Sequence, residues 1–163
     1  MNPSGEYKGT TYSNGWNKDG WPASSMRSYL STTIYNTLPI DLQSVIIDTK
    51  VVSGYGHSDT SNFISTDKLY LLDSKEVFGT SFTDSYNTSK DNERQLDYYL
   101  VQGVTSNDHS KAIKQKDGSN YPWWFRTAYF NNNSDFYGVS TTGSYYDPIA
   151  YYTGGVSPAF RIA

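Results

Sequence analysis

Apolar residues first recur at helical spacing over 24–35, where Met26, Tyr29, Leu30 and Ile34 share one stripe and Ser24 or Ser25 can cap the N-terminus. A second helix is predicted from Pro39 at its first turn, with Leu38, Leu42, Val45 and Ile46 on one face and Asp41 near the positive end of the helix dipole. The period then changes. Thr49–Ser53 reads as a strand, 54–66 as an exposed loop holding His57 and Asp59, and 67–72 as a short buried strand. Ser74–Phe78 predicts a capped helical turn and 79–95 a polar loop; Leu96, Tyr99 and Leu100 then permit one more short helix. After a hydrophilic stretch over 105–120, strand-forming residues dominate 121–129, 136–142 and 155–162, with turn signals between them.

Helices come early and strands late. That order predicts an α+β domain in which two or three helices pack on a mainly antiparallel twisted sheet with long loops. No repeat and no domain boundary interrupts the pattern, so 1–163 reads as a single domain, with 1–20 as an N-terminal arm and 21–163 as the folded body. Trp123, Phe125, Phe160, Leu71 and the stripe of the first helix suffice to build its core.

Ser, Thr and Asn make up close to a third of the chain, a proportion that raises the question of disorder. Aromatic residues, at 17% with 16 tyrosines, answer it, because disordered segments are poor in them. With no cysteine, disulfides, thiolate zinc sites and cysteine nucleophiles are excluded, and two histidines, His57 and His109, cannot alone make a three-histidine metal centre. The formal charge is −3 with no long single-sign run, which lacks the footprint of a nucleic-acid binder. Lys111, Lys114 and Lys116, flanked by Asp108 and Asp117, read as a solvated surface segment. No stretch approaches the ~20 apolar residues of a membrane span, so no membrane insertion is expected. The first residues carry no basic and apolar signal region; the composition suits an extracellular, cell-surface or virion setting as well as a reduced one.

Four stretches taken in order carry a family resemblance. They are 24–30 (SSMRSYL), 67–77 (DKLYLLDSKEV), 123–127 (WWFRT) and 155–160 (GVSPAF). The chain resembles a domain of unknown function found in surface and phage-associated proteins of Gram-positive bacteria, whose motifs run S-x-I-R-x-W-L, D-x-x-F-L-L-S-x-x-E-V, W-W-L-R-S and G-V-R-P-A-L. The resemblance implies a fold related to the C-type-lectin-like and formylglycine-generating-enzyme-like folds. Ser157 stands where that family usually has arginine, and Tyr29 where it has tryptophan. The serine removes a planar fork that would otherwise meet a carboxylate or another anion. The cysteine chemistry of the formylglycine-generating relatives is ruled out by composition.

Arg126 lies inside an apolar run, so its guanidinium needs partners, and Glu76 or Asp73 can supply a carboxylate; Arg27 invites the same structural reading. Glu76 is read as a cap or ion-pair partner near a helix start. Trp123 and Trp124, adjacent on a strand, must point to opposite faces, one into the core and one covering a helix or lining a cleft. Trp16 and Trp21 flank a turn-like segment that either presents aromatic faces to a sugar or packs the arm onto the domain.

Between the last strands lie Tyr129, Asn131, Asn133, Asp135, Tyr137, Tyr145, Tyr146 and Tyr151, the residue types of an adaptable ligand-binding face. In C-type-lectin-like relatives the resemblance places the ligand face here. The same residue types are as frequent before Trp123 as after it, so composition shows no local diversification. Asp135 and Asp147 could ligate calcium through oxygen, though no D-x-D-x-D-G spacing is present and no other cofactor is expected. No G-x-S-x-G elbow accompanies either histidine, and no motif singles out a carboxylate pair. The sequence therefore predicts a non-enzymatic module binding a glycan or a protein through its tyrosine-rich C-terminal loops. The alternatives are a structural or adhesive module without a specific ligand, and a carbohydrate-active enzyme using two carboxylates.

Overall fold

The computed structural model describes residues 17, 19–54, 56, 61–82 and 94–163, and shows a mixed α+β chain with short helices and antiparallel strand pairs. Trp16, His57 and Asp59 lie outside the described residues. Helix α1 (Gly20–Ala23) leads into α2 (Ser25–Tyr29), and Ser24 is the cap, its Oγ accepting the Arg27 N–H at 3.1 Å. The helix does not stay regular to its end: Leu30–Ile34 is a π turn before α3 (Tyr35–Thr37). The Ser31 and Thr32 hydroxyls both donate to the Ser28 carbonyl, offering that backbone acceptor an alternative to the α-helical ladder.

Pro39 stands one position outside α4 (Ile40–Val45), and Ile46 leaves the helix for strand β1 (Ile46–Ile47). Counting Ile46 on the helical face is thus corrected, because the C-terminal strand recruits it: Ile46 pairs with Ile162 and is buried. Strand β2 (Thr49–Ser53) matches the sequence reading, but residues assigned to the following loop form β3 (Phe63–Asp67), antiparallel to β2. The inward positions of β3 are Phe63, Ser65 and Asp67, so a single apolar residue marks its inner face, while the apolar Ile64 points outward. Strand β4 shrinks to Tyr70–Leu71, and α5 (Ser74–Phe78) and α6 (Asp97–Val101) follow. On α6, Tyr99 is buried while Tyr98, Leu100 and Val101 face solvent.

The stretch over 105–120 contains a hairpin, β5 (Lys114–Lys116) with β6 (Ser119–Tyr121). Asp117 and Gly118 both have positive φ, 52° and 77°, which suits the two-residue turn that matches strand twist. Strand β7 (Trp123–Ala128) pairs with β8 (Phe136–Val139), which pairs with β9 (Tyr145–Tyr146), a strand the sequence reading left in a loop. The chain ends on β10 (Pro158–Ala159), paired with β4, and β11 (Arg161–Ile162), paired with β1. In place of one sheet, the described residues form five separate antiparallel sheets, four two-stranded and one three-stranded.

Every residue of β7 is buried, so this strand is the centre of the molecule. Its alternation divides the core in two: Trp124 and Ala128 join Trp21, Met26, Leu30, Leu71 and Phe136, whereas Trp123 and Phe125 join Val77, Phe78, Tyr99, Tyr137 and Val139. Trp124 thus covers the early helices and Trp123 is equally interior. Phe160, assigned to the core by its apolar neighbours, is 40% exposed at the edge between β10 and β11.

Candidate functional site

The capping of α5 begins the site. Asp73 accepts the Lys75 N–H at 3.0 Å, and Glu76 reaches back to accept the Asp73 N–H at 2.7 Å, a reciprocal box that satisfies donors the helix start leaves open. Thr127 on β7 donates to Asp73 at 2.7 Å and accepts the Ser74 N–H at 3.0 Å, which fixes the helix start against the central strand. The neighbouring residue on β7, Arg126, extends to the other side of the strand and meets Glu76 with Nη1 at 2.6 Å. Its Nη1 also donates to the Leu71 carbonyl at 2.7 Å and its Nε to the Val52 carbonyl at 2.9 Å, while the guanidinium lies 5.8 Å from the centre of the Tyr70 ring. A buried guanidinium with this many acceptors ties β2, β4, α5 and β7 together.

Above that ion pair opens a cleft of about 400 Å³. Arg126 and Glu76 lie in its lining; Lys50 on β2, Arg94 ahead of α6 and Arg161 on β11 bring further charge, and Val51, Tyr70 and Leu96 bring apolar surface. Among the described lining residues, four cationic side chains thus accompany one carboxylate, in a chain whose formal charge is −3. Glu76 is already bound by Arg126. Arg94 pairs with Asp97 at 2.8 Å, but both side chains are exposed, so water screens that pair. Burial pushes the Tyr70 phenol above its ordinary range, and the Glu76 charge adds to this; the cationic Arg161 and Arg126 pull the other way. The net direction keeps Tyr70 a neutral hydrogen-bond donor at neutral pH.

Arg27, the other arginine expected to be structural, pairs with Asp67 at 2.6 Å and donates to the Pro22 carbonyl at 3.1 Å. Asp67 also accepts Trp21 Nε1 at 3.0 Å and the Ser65 hydroxyl, so Trp21 is fully buried and offers no face to a sugar.

Tyr137 and Asp135 are buried; Tyr129, Tyr145, Tyr146 and Tyr151 are half-buried; Asn131 and Asn133 are exposed. Tyr137 meets Phe82 edge-to-face with ring centres 5.0 Å apart and Tyr129 at 5.2 Å, and Tyr145 meets Phe82 at 4.9 Å and Phe78 at 5.7 Å. These rings are packing, held in the perpendicular geometry aromatic pairs prefer. The Asp135 carboxylate accepts from Asn132 at 2.7 Å and Ser134 at 2.6 Å, and Asn132 Oδ1 accepts the Ser134 and Asp135 N–H groups, which closes the loop on itself. Among the described residues, no three His, Asp or Glu side chains converge as a metal site would require.

Asn17 anchors the same loop from the other end of the chain. Its Nδ2 lies 2.7, 2.8 and 2.9 Å from the carbonyls of Tyr129, Asn132 and Asp135, and its N–H donates to the Asn133 carbonyl. A second, smaller cavity of about 280 Å³ lies beside the hairpin, where Lys114 sits 4.9 Å above the Trp123 ring, Lys116 sits 5.1 Å above Tyr121, and Ser157 closes the far side. Burial lowers the pKa of Lys114, so the lysines read as solvated surface are in part packed against rings.

The cleft residues missed by sequence reasoning are Lys50, Tyr70, Arg94 and Arg161. They come from four separate elements, and no local spacing links them; the surrounding signal was Arg126, which demanded a partner and so marked the floor. No curated protein and no solved structure matches the chain. The family described as a domain of unknown function, DUF6273, matches residues 6–163, and the chain belongs to it.

Proposed function

We propose that the chain is a non-enzymatic recognition module with a C-type-lectin-like arrangement, displayed on a bacterial surface or a phage particle, and that its ligand, a glycan or a protein, binds in the cleft over the Arg126–Glu76 pair. The cleft itself carries this reading: it is concave, large enough for a small ligand, and lined by charged groups that the fold brings together without using them all for its own cohesion. The tyrosine-rich loops are the weaker choice of face, since their rings are spent on the second core cluster. Glycoside hydrolysis has less support, because it needs two carboxylates across a pocket and Glu76, the single acid among the described lining residues, is held by Arg126 and the Asp73 N–H.

The inward packing of the tyrosines favours a second reading, a structural module with no specific ligand. An array of glycans and proteins probed with the whole chain separates the two. Specific binding that is lost in Lys50→Ala with Arg161→Ala, and kept in Asn131→Ala with Asn133→Ala, is the expected result. Loss in the asparagine variant with retention in the cleft variant returns the site to the C-terminal loops. No specific binding on either array leaves the structural module.

A further inference from the structure

We propose that the group recognised in this cleft is the carboxylate of an acidic saccharide, held between Lys50 and Arg161; this rests on the cleft being the ligand site. The first observation is one of charge. The fold pairs its buried cation, Arg126, with Glu76 at 2.6 Å, yet Lys50 and Arg161 form no ion pair among the described residues. They stand on β2 and β11, strands far apart in the chain, and both line the cleft. Like charges gathered around a concavity with low-dielectric walls focus a positive potential there, and an anion is what relieves it.

The second observation concerns geometry. Arg161 brings a planar fork of donors to a cleft that the Tyr70 phenol also lines. A fork of this kind matches the two oxygens of a carboxylate. Phosphate sites more often draw on backbone N–H groups from a glycine-rich loop or helix start, and no glycine is among the described residues that line this cleft. The third is size and shape. A volume of about 400 Å³ is near the lower end for small-ligand sites, which suits one or two sugar rings, and Val51, Tyr70 and Leu96 offer apolar surface to their C–H faces. An extended acidic peptide fits less well, because the Val52 carbonyl on the strand beside the cleft is already taken by Arg126 Nε.

The test is calorimetric titration of the whole chain with four probes: a digalacturonate, the same disaccharide with its carboxyl groups reduced to alcohols, a glutamate hexapeptide, and inorganic phosphate. Digalacturonate is expected to bind with an affinity that falls as salt is raised, and the reduced disaccharide to bind about tenfold more weakly or not at all, the loss of one charge-assisted contact. Lys50→Ala and Arg161→Ala are each expected to weaken digalacturonate by about tenfold, and Arg161→Lys, which keeps the charge and loses the fork, to recover part of it. Thermal unfolding of each variant shows that it remains folded.

Equal binding of the reduced disaccharide, still lost in both alanine variants, overturns the carboxylate and leaves the cleft as the site. Tighter binding of the hexapeptide or of phosphate overturns the saccharide and also leaves the site. Digalacturonate binding that neither alanine variant changes overturns the placement, and with it the reading of the cleft. No binding of any probe overturns the proposal.

Discussion

Replacing Arg126 by methionine keeps an apolar stem on β7 and removes the guanidinium. The arginine side chain is 2% exposed and donates to Glu76, Leu71 and Val52; its carboxylate partner is 15% exposed. Without it, Glu76 keeps its charge in a mostly buried place, and two carbonyls lose a donor. Breaking a buried pair from one side costs about 3–5 kcal/mol, which is a large part of the roughly 5–15 kcal/mol that holds a domain folded. Glu76→Gln should cost less, about 1–2 kcal/mol, because the amide oxygen can still accept from Asp73 N–H and from Arg126. The combination is the informative case: with glutamine in place, removing the arginine strands no charge, so the double variant should be more stable than the sum of the singles predicts by about 1–3 kcal/mol. Equilibrium urea denaturation of the four proteins measures this cycle. A single-variant cost below about 1 kcal/mol for Arg126→Met, or strict additivity, would show that the pair does not hold β2, β4 and α5 to the central strand.

Burial pushes the Tyr99 phenol up to about 12, with the Tyr98 and Glu76 charges adding to it. A folded pKa above the ordinary 10 makes a stabilising contribution that is whole below about pH 10 and is lost as pH rises towards 12, on the order of 2–3 kcal/mol, so Tyr99→Phe should flatten the alkaline fall in stability; parallel falls in the two proteins refute this. Asn17→Asp sets a carboxylate against the carbonyls of Tyr129, Asn132 and Asp135 where an amide donated to them, and should lower stability by about 3 kcal/mol or more in urea; unchanged stability means the anchor is absent. Gly143 has φ of 93°, and a Cβ there would lie 2.2 Å from the His109 carbonyl oxygen, so Gly143→Ala should lower the thermal midpoint by several degrees, and a midpoint within a degree of the parent counts against that close approach.

What the sequence made legible is what local chemistry decides. Ser24 caps a helix and the Asp73–Glu76 box starts another because the donors they satisfy lie within three residues. Strand β7 was readable as an unbroken apolar run, and Arg126 within it as a charge needing a partner. Strand β3 was hidden because two of its three inward residues are the polar Ser65 and Asp67, the latter buried to receive Arg27 and Trp21, a requirement set by residues some forty positions earlier. Ile46 was hidden for the same reason at greater range, since its strand partner is Ile162. The hairpin at Asp117–Gly118 is a different case. Its turn signal stood in the sequence, but the flanking Lys114, Gln115 and Lys116 are hydrophilic, and the ring contacts that hold the lysines are with β6 and β7.

The surplus of tyrosine has a structural explanation that bears on the site. A chain without cysteine has no covalent staple, and its second core cluster is instead closed by a series of perpendicular ring contacts running through Phe125, Phe78, Tyr145, Phe82, Tyr137 and Tyr129. Rings committed to such contacts hold β7, β8 and β9 against α5, and so hold from one side the strand whose other side presents Arg126 to the cleft. The first cluster packs on that other side through Trp124 and Ala128. Arg126 therefore stands on a strand fixed from both faces, and Arg161 is positioned by the pairing of β11 with β1, in which Ile162 faces Ile46 and Arg161 faces Ile47. A floor set in this way loses little freedom when a ligand arrives, so more of each contact's energy is left for affinity. On the proposed reading, the aromatic residues would serve recognition from behind, by fixing the cations in place.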